Sequence, residues 1–118
     1  MRLFLLTLVL LPSPVSSWAK GVNLDFTFVL TAPGEAVAKI VASNPAGSWQ
    51  TPGAEAAVAT VEVDGQYNQD VVIDRGPEPQ SYSVFLGPIS SGRHRLHIDC
   101  SARWSAPAAG LDARFEEP

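Results

Sequence analysis

Residues 93–104 read Arg-His-Arg-Leu-His-Ile-Asp-Cys-Ser-Ala-Arg-Trp, and their strict alternation is the strongest indication of the fold. The odd-numbered positions are polar, and the even-numbered ones are mostly apolar: His94, Leu96, Ile98, Cys100, Ala102 and Trp104. Successive side chains of a strand point to opposite faces of its sheet, whereas a helix scatters both sets around its circumference. The stretch therefore predicts a half-buried strand, with Cys100 an inert core group and Trp104 also in the core.

Five further segments show the same period of two between glycine, proline, asparagine and aspartate residues. They span residues 24–31, 36–43, 56–63, 67–74 and 81–86, and residues 113–115 offer a short seventh strand. Strands at intervals of about a dozen residues, without a helical apolar stripe, are typical of sandwiches and barrels. We predict an all-β, immunoglobulin-like antiparallel β-sandwich of six to seven strands.

Two dipeptides predict where the chain turns. Asp64-Gly65 predicts a tight hairpin turn, because both central residues of such a turn adopt positive φ. Gly87-Pro88 predicts the start of a second turn that closes at Gly92.

The run Tyr82-Ser-Val-Phe-Leu-Gly-Pro-Ile-Ser-Ser-Gly-Arg-His-Arg-Leu-His-Ile98 resembles a corner of immunoglobulin-like and fibronectin type III-like modules of secreted proteins. In those families a strand ends in Leu-x-Pro, the chain turns through glycine, and the next strand restarts with an aromatic residue. His94 stands where they usually have tyrosine. The resemblance implies a sandwich with an accessory or binding role, and it carries no site residues over.

Residues 1–19 have the parts of a secretory signal peptide. Arg2 supplies the basic end, an apolar run follows over residues 3–11, and Ser17-Trp18-Ala19 offers small residues at a cleavage site. The run is too short for a spanning helix, which needs about 20 apolar residues. We expect cleavage after Ala19, a β-sandwich domain over residues 20–118, and export to the extracellular space or the periplasm. The last strand is then short, unless the chain is a fragment of a longer protein.

Net charge limits the classes of binding partner, and cysteine content limits how the domain is stabilised. The net charge is −4 and becomes −5 without Arg2, which disfavours nucleic acid and anionic lipid because both require clustered basic residues. Cys100 is the only cysteine, so the domain has no internal disulfide and must depend on its core. We expect a monomer without a membrane span.

We expect no catalytic residues, no metal and no cofactor. His94 and His97 are the only histidines, and three positions apart on a strand they point to opposite faces, so they do not share an ion. His94 is instead expected to be partly buried and hydrogen-bonded at the corner, and His97 to be solvated. The nucleophile motif Gly-x-Ser-x-Gly is absent. The carboxylates of residues 62–74 lack calcium-loop spacing and are expected to pair with arginines across strands.

Loop 44–53, Asn-Pro-Ala-Gly-Ser-Trp-Gln-Thr-Pro-Gly, is the candidate binding site. An exposed indole at Trp49 can stack on the apolar face of a sugar, while the amides of Asn44, Gln50 and Asn68 supply hydrogen bonds. The alternative is that Trp49 folds back and plugs the open end of the sandwich.

Three functions follow from these features. The first is non-catalytic recognition of a glycan or another surface ligand through loop 44–53. The second is a structural spacer or protein-interaction domain of a longer chain. The third is a small secreted hydrolase. It is the least favoured, because no catalytic constellation is present in the sequence.

Overall fold

The computed structural model describes residues 19–20 and 24–116 of the 118-residue chain. The predicted signal peptide, residues 1–19, lies outside the described residues except for Ala19. In the described part, no helix is long and apolar enough to cross a membrane.

The described chain forms two antiparallel sheets. The strands are β1 (Ala19–Lys20), β2 (Leu24–Leu30), β3 (Gly34–Ser43), β4 (Ala57–Val63), β5 (Gln66–Ile73), β6 (Gln80–Ile89), β7 (Gly92–Cys100) and β8 (Asp112–Phe115). One sheet has the order β1-β8-β3-β6 and the other β2-β7-β4-β5. The predicted all-β antiparallel sandwich is confirmed, with seven strands of four or more residues and the two-residue β1 at one edge.

The core lies between the inner faces of the two sheets. Ile40, Val61, Leu96 and Ile98 have no exposed surface, and Val84 has 1%. In the central strands β4 and β7 the register places Val61 beside Ile98, so their side chains pack on the same inner face. Period-two patterning therefore predicted the inward rows, because only one face of each strand meets the opposing sheet.

The strand predicted over residues 93–104 ends early, at Cys100. Its last paired residue is Cys100 opposite Ala59, after which the Ser101 carbonyl accepts from Ser105 N (3.1 Å) and the Ser101 hydroxyl accepts from Trp104 N (3.1 Å). These bonds turn the chain away from the sheet. Trp104 is 60% exposed, so its predicted place in the core is wrong, and Cys100 is half-buried rather than enclosed.

The two predicted turns have different outcomes. The Asp64-Gly65 hairpin is confirmed, with φ of 53° and 77°. The predicted turn at Gly87-Pro88 is wrong, because β6 continues to Ile89. Gly87 has φ of 84° beside a register shift between Ala36 and Val37, so its conformational freedom serves a β-bulge inside the strand. The chain changes sheets just beyond it, between Ile89 and Gly92.

The connections between strands divide by length. Short turns at residues 31–33, 64–65 and 90–91 lie at one end of the sandwich, whereas the loops of residues 44–56, 74–79 and 101–111 lie at the other. We call these three loops together the loop end. Backbone hydrogen bonds join them directly, and candidate loop 44–53 is part of this assembly.

Candidate functional site

Asn44 joins the three loops of the loop end through hydrogen bonds at their base. Its backbone N donates to Gly76 O (3.0 Å), its carbonyl accepts from Gly47 N (2.8 Å), and its Oδ1 accepts from Gly110 N (3.2 Å). The residue has no exposed surface. The side chain lies beneath the loops and does not reach solvent, so the ligand contact predicted for its amide is not carried into the proposed site.

Ser48 organises the segment that carries the tryptophan. Its backbone N donates to Ala54 O (2.8 Å), and its hydroxyl accepts from Gln50 N (3.2 Å). Ala54, with 4% of its surface exposed, anchors the far side of this turn in the protein. Short-range bonds of this kind satisfy backbone groups that a glycine- and proline-rich loop cannot pair in a sheet.

Trp49 lies on the outside of this turn, with 64% of its surface exposed. Its Nε1 donates to the carbonyl of Asp74 (2.9 Å), at the start of the neighbouring loop. The indole therefore does not plug the sandwich. The hydrogen bond holds its polar edge while most of the ring surface stays accessible, and the adjacent Gln50 is also exposed.

Asn68 is far from this site. It lies on β5 and donates from Nδ2 to Leu86 O (2.9 Å), across the seam between the two sheets. Asp74 follows it by six positions, a span of about 20 Å along an extended strand. Of the four predicted residues, the structure thus brings Trp49 and Gln50 together, buries Asn44 beneath them and leaves Asn68 outside the site.

The loop end holds a second exposed indole that the sequence analysis assigned to the core. Trp104 lies on loop 101–111, and the Arg103 guanidinium carbon is 4.7 Å from the centre of its ring. This loop is bonded to loop 44–56 through Ala108 N to Gly53 O (2.7 Å) and Ala106 N to Ala56 O (2.9 Å). The signal that could have revealed it is Ser105-Ala-Pro107, since strand pairing does not continue into such a segment.

An arginine and a tyrosine lie beside the hydrogen bond between Trp49 and Asp74. The Arg75 guanidinium carbon lies 5.1 Å from the ring centre of Tyr82, and Arg75 N donates to the Tyr82 hydroxyl (3.3 Å). Arg75 follows Asp74, whose carbonyl accepts the hydrogen bond from Trp49. The contacts of Arg75 with Tyr82 therefore help to hold that carbonyl in place. The loop end therefore presents ordered aromatic rings beside polar side chains.

Sequence comparisons identify no relatives of this chain. No protein-family model matches it, and no curated protein matches it. Solved structures do resemble it. The CBM36-1 domain of a multidomain xylanase from the hindgut metagenome of Trinervitermes trinervoides matches with a TM-score of 0.62 at 8% identity, over 82% of this chain and 69% of that one. A family 35 carbohydrate binding module from an environmental isolate matches with a TM-score of 0.55 at 14% identity, over 83% and 67%.

The chain has the β-sandwich fold of these modules. A cycloisomaltooligosaccharide glucanotransferase from Paenibacillus sp. also matches, with a TM-score of 0.58 at 12% identity, over 79% of this chain. The chain spans only 12% of that enzyme, so the likeness concerns one part of a much longer protein. At such identities the likeness establishes the fold alone, and the function depends on the site.

A tightly bonded titratable pair lies at the opposite end from Trp49. His94 Nδ1 is 2.6 Å from Asp64 Oδ2, and His94 Nε2 is 2.7 Å from Ser90 O. A carbonyl only accepts, so both ring nitrogens face acceptors and the imidazolium form is favoured. The hydrogen bond to Asp64 raises the pKa of His94 above 6.5, and the same bond lowers the pKa of Asp64 below 3.8. His94 is thus bonded at the corner as expected, whereas Asp64 pairs with a histidine rather than an arginine side chain.

This pair predicts how stability depends on pH. The His94 contribution is complete below pH 6.5 and is lost as the pH rises through the raised pKa of the folded state. The Asp64 contribution is complete above pH 3.8 and is lost as the pH falls through its lowered pKa. We expect the melting temperature of wild type to exceed that of Asp64→Asn most strongly between these values, and the difference to shrink on either side. Thermal unfolding from pH 3 to 9 measures it, and a pH-independent difference would contradict the assignment.

Proposed function

We propose that this chain is a secreted, non-catalytic module that binds a glycan at its loop end, with Trp49 as the stacking residue and Gln50 as a hydrogen-bonding partner. The observation that carries the proposal is the exposed indole of Trp49, held by its Nε1 to Asp74 O. The proposal includes cleavage after Ala19, a mature domain over residues 20–118, and a monomer without cofactor or metal.

The physics of stacking supports this role. A pyranose presents a face of C–H groups, and an indole buries it while removing a large apolar area from water. A ring that is already oriented loses little conformational entropy on binding, so more of the contact free energy contributes to affinity. The bonds from loop 44–56 to loops 74–79 and 101–111 hold the platform steady.

A binding role is favoured over catalysis by how the polar groups of the loop end are used. The Glu55 carboxylate accepts from Gly53 N, and the Ser48 hydroxyl accepts from Gln50 N. Both therefore stabilise the loops rather than forming a nucleophile–base pair. The fold likeness to carbohydrate-binding modules adds support at the level of architecture.

A domain interface is the second candidate function. Trp49 and Trp104 are both more than half exposed on loops that are bonded to each other, and exposed aromatic residues also mark protein–protein contacts. A neighbouring domain would cover both rings, whereas a sugar stacked on Trp49 does not require Trp104. The two candidates therefore differ in their dependence on Trp104.

A glycan array probed with the mature chain tests the proposal. We expect binding to at least one neutral glycan, and we expect Trp49→Ala to weaken it about tenfold or more, a loss of about 1.4 kcal/mol. Phe85→Ala is the matched control, because Phe85 is similarly exposed (62%) but lies on β6, within the sheet β1-β8-β3-β6. Unchanged affinity in Trp49→Ala for every glycan that the mature chain binds would refute the loop-end site, and an array without any bound glycan would refute the function.

A further inference from the structure

We propose a second, independent saccharide-binding surface on the outer face of the sheet β2-β7-β4-β5, formed by Tyr67, Glu62, His97 and Arg95. It accepts one neutral, hydroxyl-rich sugar ring. This inference goes beyond the loop-end function, because it concerns a different face and different residues.

Strand register places the side chains of this surface in one row. Asp25 on β2 pairs with His97 on β7, His97 pairs with Glu62 on β4, and Glu62 pairs with Tyr67 on β5. Directly paired residues of antiparallel strands share a face, with Cβ atoms about 4.5–5.5 Å apart. The row therefore crosses all four strands, from the carboxylate of Asp25 to the aromatic ring of Tyr67.

Tyr67 is held as an exposed platform at the end of this row. It is 65% exposed, and its hydroxyl donates to Asp70 Oδ2 (2.9 Å). Residues three apart on a regular strand face opposite sides, but the register shift between Val61 and Glu62 leaves Asn68 unpaired. This bulge puts Tyr67 and Asp70 on the same face. The ring is thus fixed through its polar atom, as Trp49 is at the other end.

A groove of about 240 Å³ lies beside the middle of the row, lined by Glu62, Gly65, Arg95 and His97. Tyr67, which pairs with Glu62, lies next to this lining. Arg95 Nη2 is 2.8 Å from Asp25 Oδ1, and His97 Nδ1 is 3.0 Å from the same oxygen. One carboxylate therefore orients both basic side chains. Among the described residues, Glu62 has no hydrogen-bond or ion-pair partner, so its carboxylate is available to a ligand.

The chemistry of these groups matches a sugar ring. Hydroxyls both donate and accept, and the groove offers an accepting carboxylate at Glu62, a donating guanidinium at Arg95 and the second imidazole nitrogen of His97. Enclosed sites for drug-sized ligands measure roughly 300–1,000 Å³, so this smaller open groove suits one ring.

The charge of the face favours a neutral sugar over an anionic one. Four carboxylates lie on it against two guanidinium groups: Asp25, Glu62, Asp70 and Asp99 against Arg93 and Arg95. A carboxylate or sulfate on the ligand would be repelled by this excess.

The surface is separate from the loop end. Tyr67 lies near the start of β5, and Asp74, which binds Trp49, follows its end. Seven residues of strand span about 23 Å. Mutation of one ring should therefore leave binding at the other unchanged.

Amide chemical shifts of the ¹⁵N-labelled mature chain, titrated separately with cellohexaose, xylohexaose and mannohexaose, test the inference. With at least one of them at millimolar concentration we expect shifts at Glu62, Gly65 and His97. Tyr67→Ala and Glu62→Gln should each weaken this binding about three- to tenfold, whereas Trp49→Ala should not change it. Val72→Ala is the control, because Val72 is also exposed (51%) on β5.

The outcomes separate the two proposals. Absence of shifts at these amides with all three sugars overturns the second surface, whatever happens at the loop end. Shifts that vanish in Trp49→Ala also overturn it, because they would then report one site. Thermal unfolding of Tyr67→Ala and Glu62→Gln confirms that the variants are folded, and Tyr67→Phe, which keeps the ring, should retain most of the affinity.

Discussion

Replacing Ile98 by alanine is expected to destabilise the domain by about 2–5 kcal/mol. Ile98 has no exposed surface and lies on β7, between Leu24 of β2 and Val61 of β4. Alanine removes three carbons from the middle of the sandwich, and paired strands on both sides prevent the backbone from closing around the gap. The loss is a large part of the 5–15 kcal/mol by which domains of this size are stable.

Urea unfolding followed by tryptophan fluorescence measures this effect. Val72→Ala provides the control, since Val72 belongs to the same sheet but is 51% exposed, and its loss should change stability by about 0.5 kcal/mol or less. Equal midpoints for Ile98→Ala and wild type would show that the inward row of β7 is misassigned.

Replacing Asn44 by alanine is the change expected to affect the loop end most. Gly110 N would lose its acceptor in a partly buried position, and leaving a fully buried donor unpaired costs about 1–3 kcal/mol. The Nδ2 of Asn44 already lacks a partner among the described residues, and its removal offsets part of that cost, so we expect the lower half of the range. Loss of this contact also loosens the loop that carries Trp49.

Two measurements on the same protein distinguish this role from ligand contact. Asn44→Ala should lower both the free energy of unfolding and the affinity for the glycan found on the array. Gln50→Ala, which changes an exposed neighbour, should lower the affinity alone. If Asn44→Ala changed affinity without changing stability, the buried amide would not be stabilising the loop end.

Several features could be read from the sequence because they depend on local pattern. Asp64-Gly65 requires positive φ at two adjacent positions, and few residue pairs tolerate it, so the hairpin was predictable. The alternation of His94, Leu96 and Ile98 fixes which side of β7 is inward, because a shift of one residue would bury arginines.

The candidate site was only partly predictable, because only part of it depends on local pattern. Trp49 and Gln50 were identified because the surrounding loop has no competing large side chain. Asn44 and Asn68 are equally polar in sequence, yet one is buried beneath the loops and the other bonds β6 across the seam. Amide side chains satisfy buried backbone groups as readily as they bind ligands, and residue type does not distinguish the two uses.

Period-two patterning and turn chemistry, both local properties of the chain, were sufficient to define the strands, the inward rows and the sandwich class. Where β7 ends is a tertiary property, because Val58 N of β4 donates to the Ser105 hydroxyl rather than to a further residue of β7, and Trp104 is left exposed on a turn. The same holds for the row of Asp25, His97, Glu62 and Tyr67, because Asp25 and His97 are 72 positions apart in sequence and meet only through strand register. Pattern within a strand specifies which face a side chain occupies, but its neighbours are specified by pairing between distant segments.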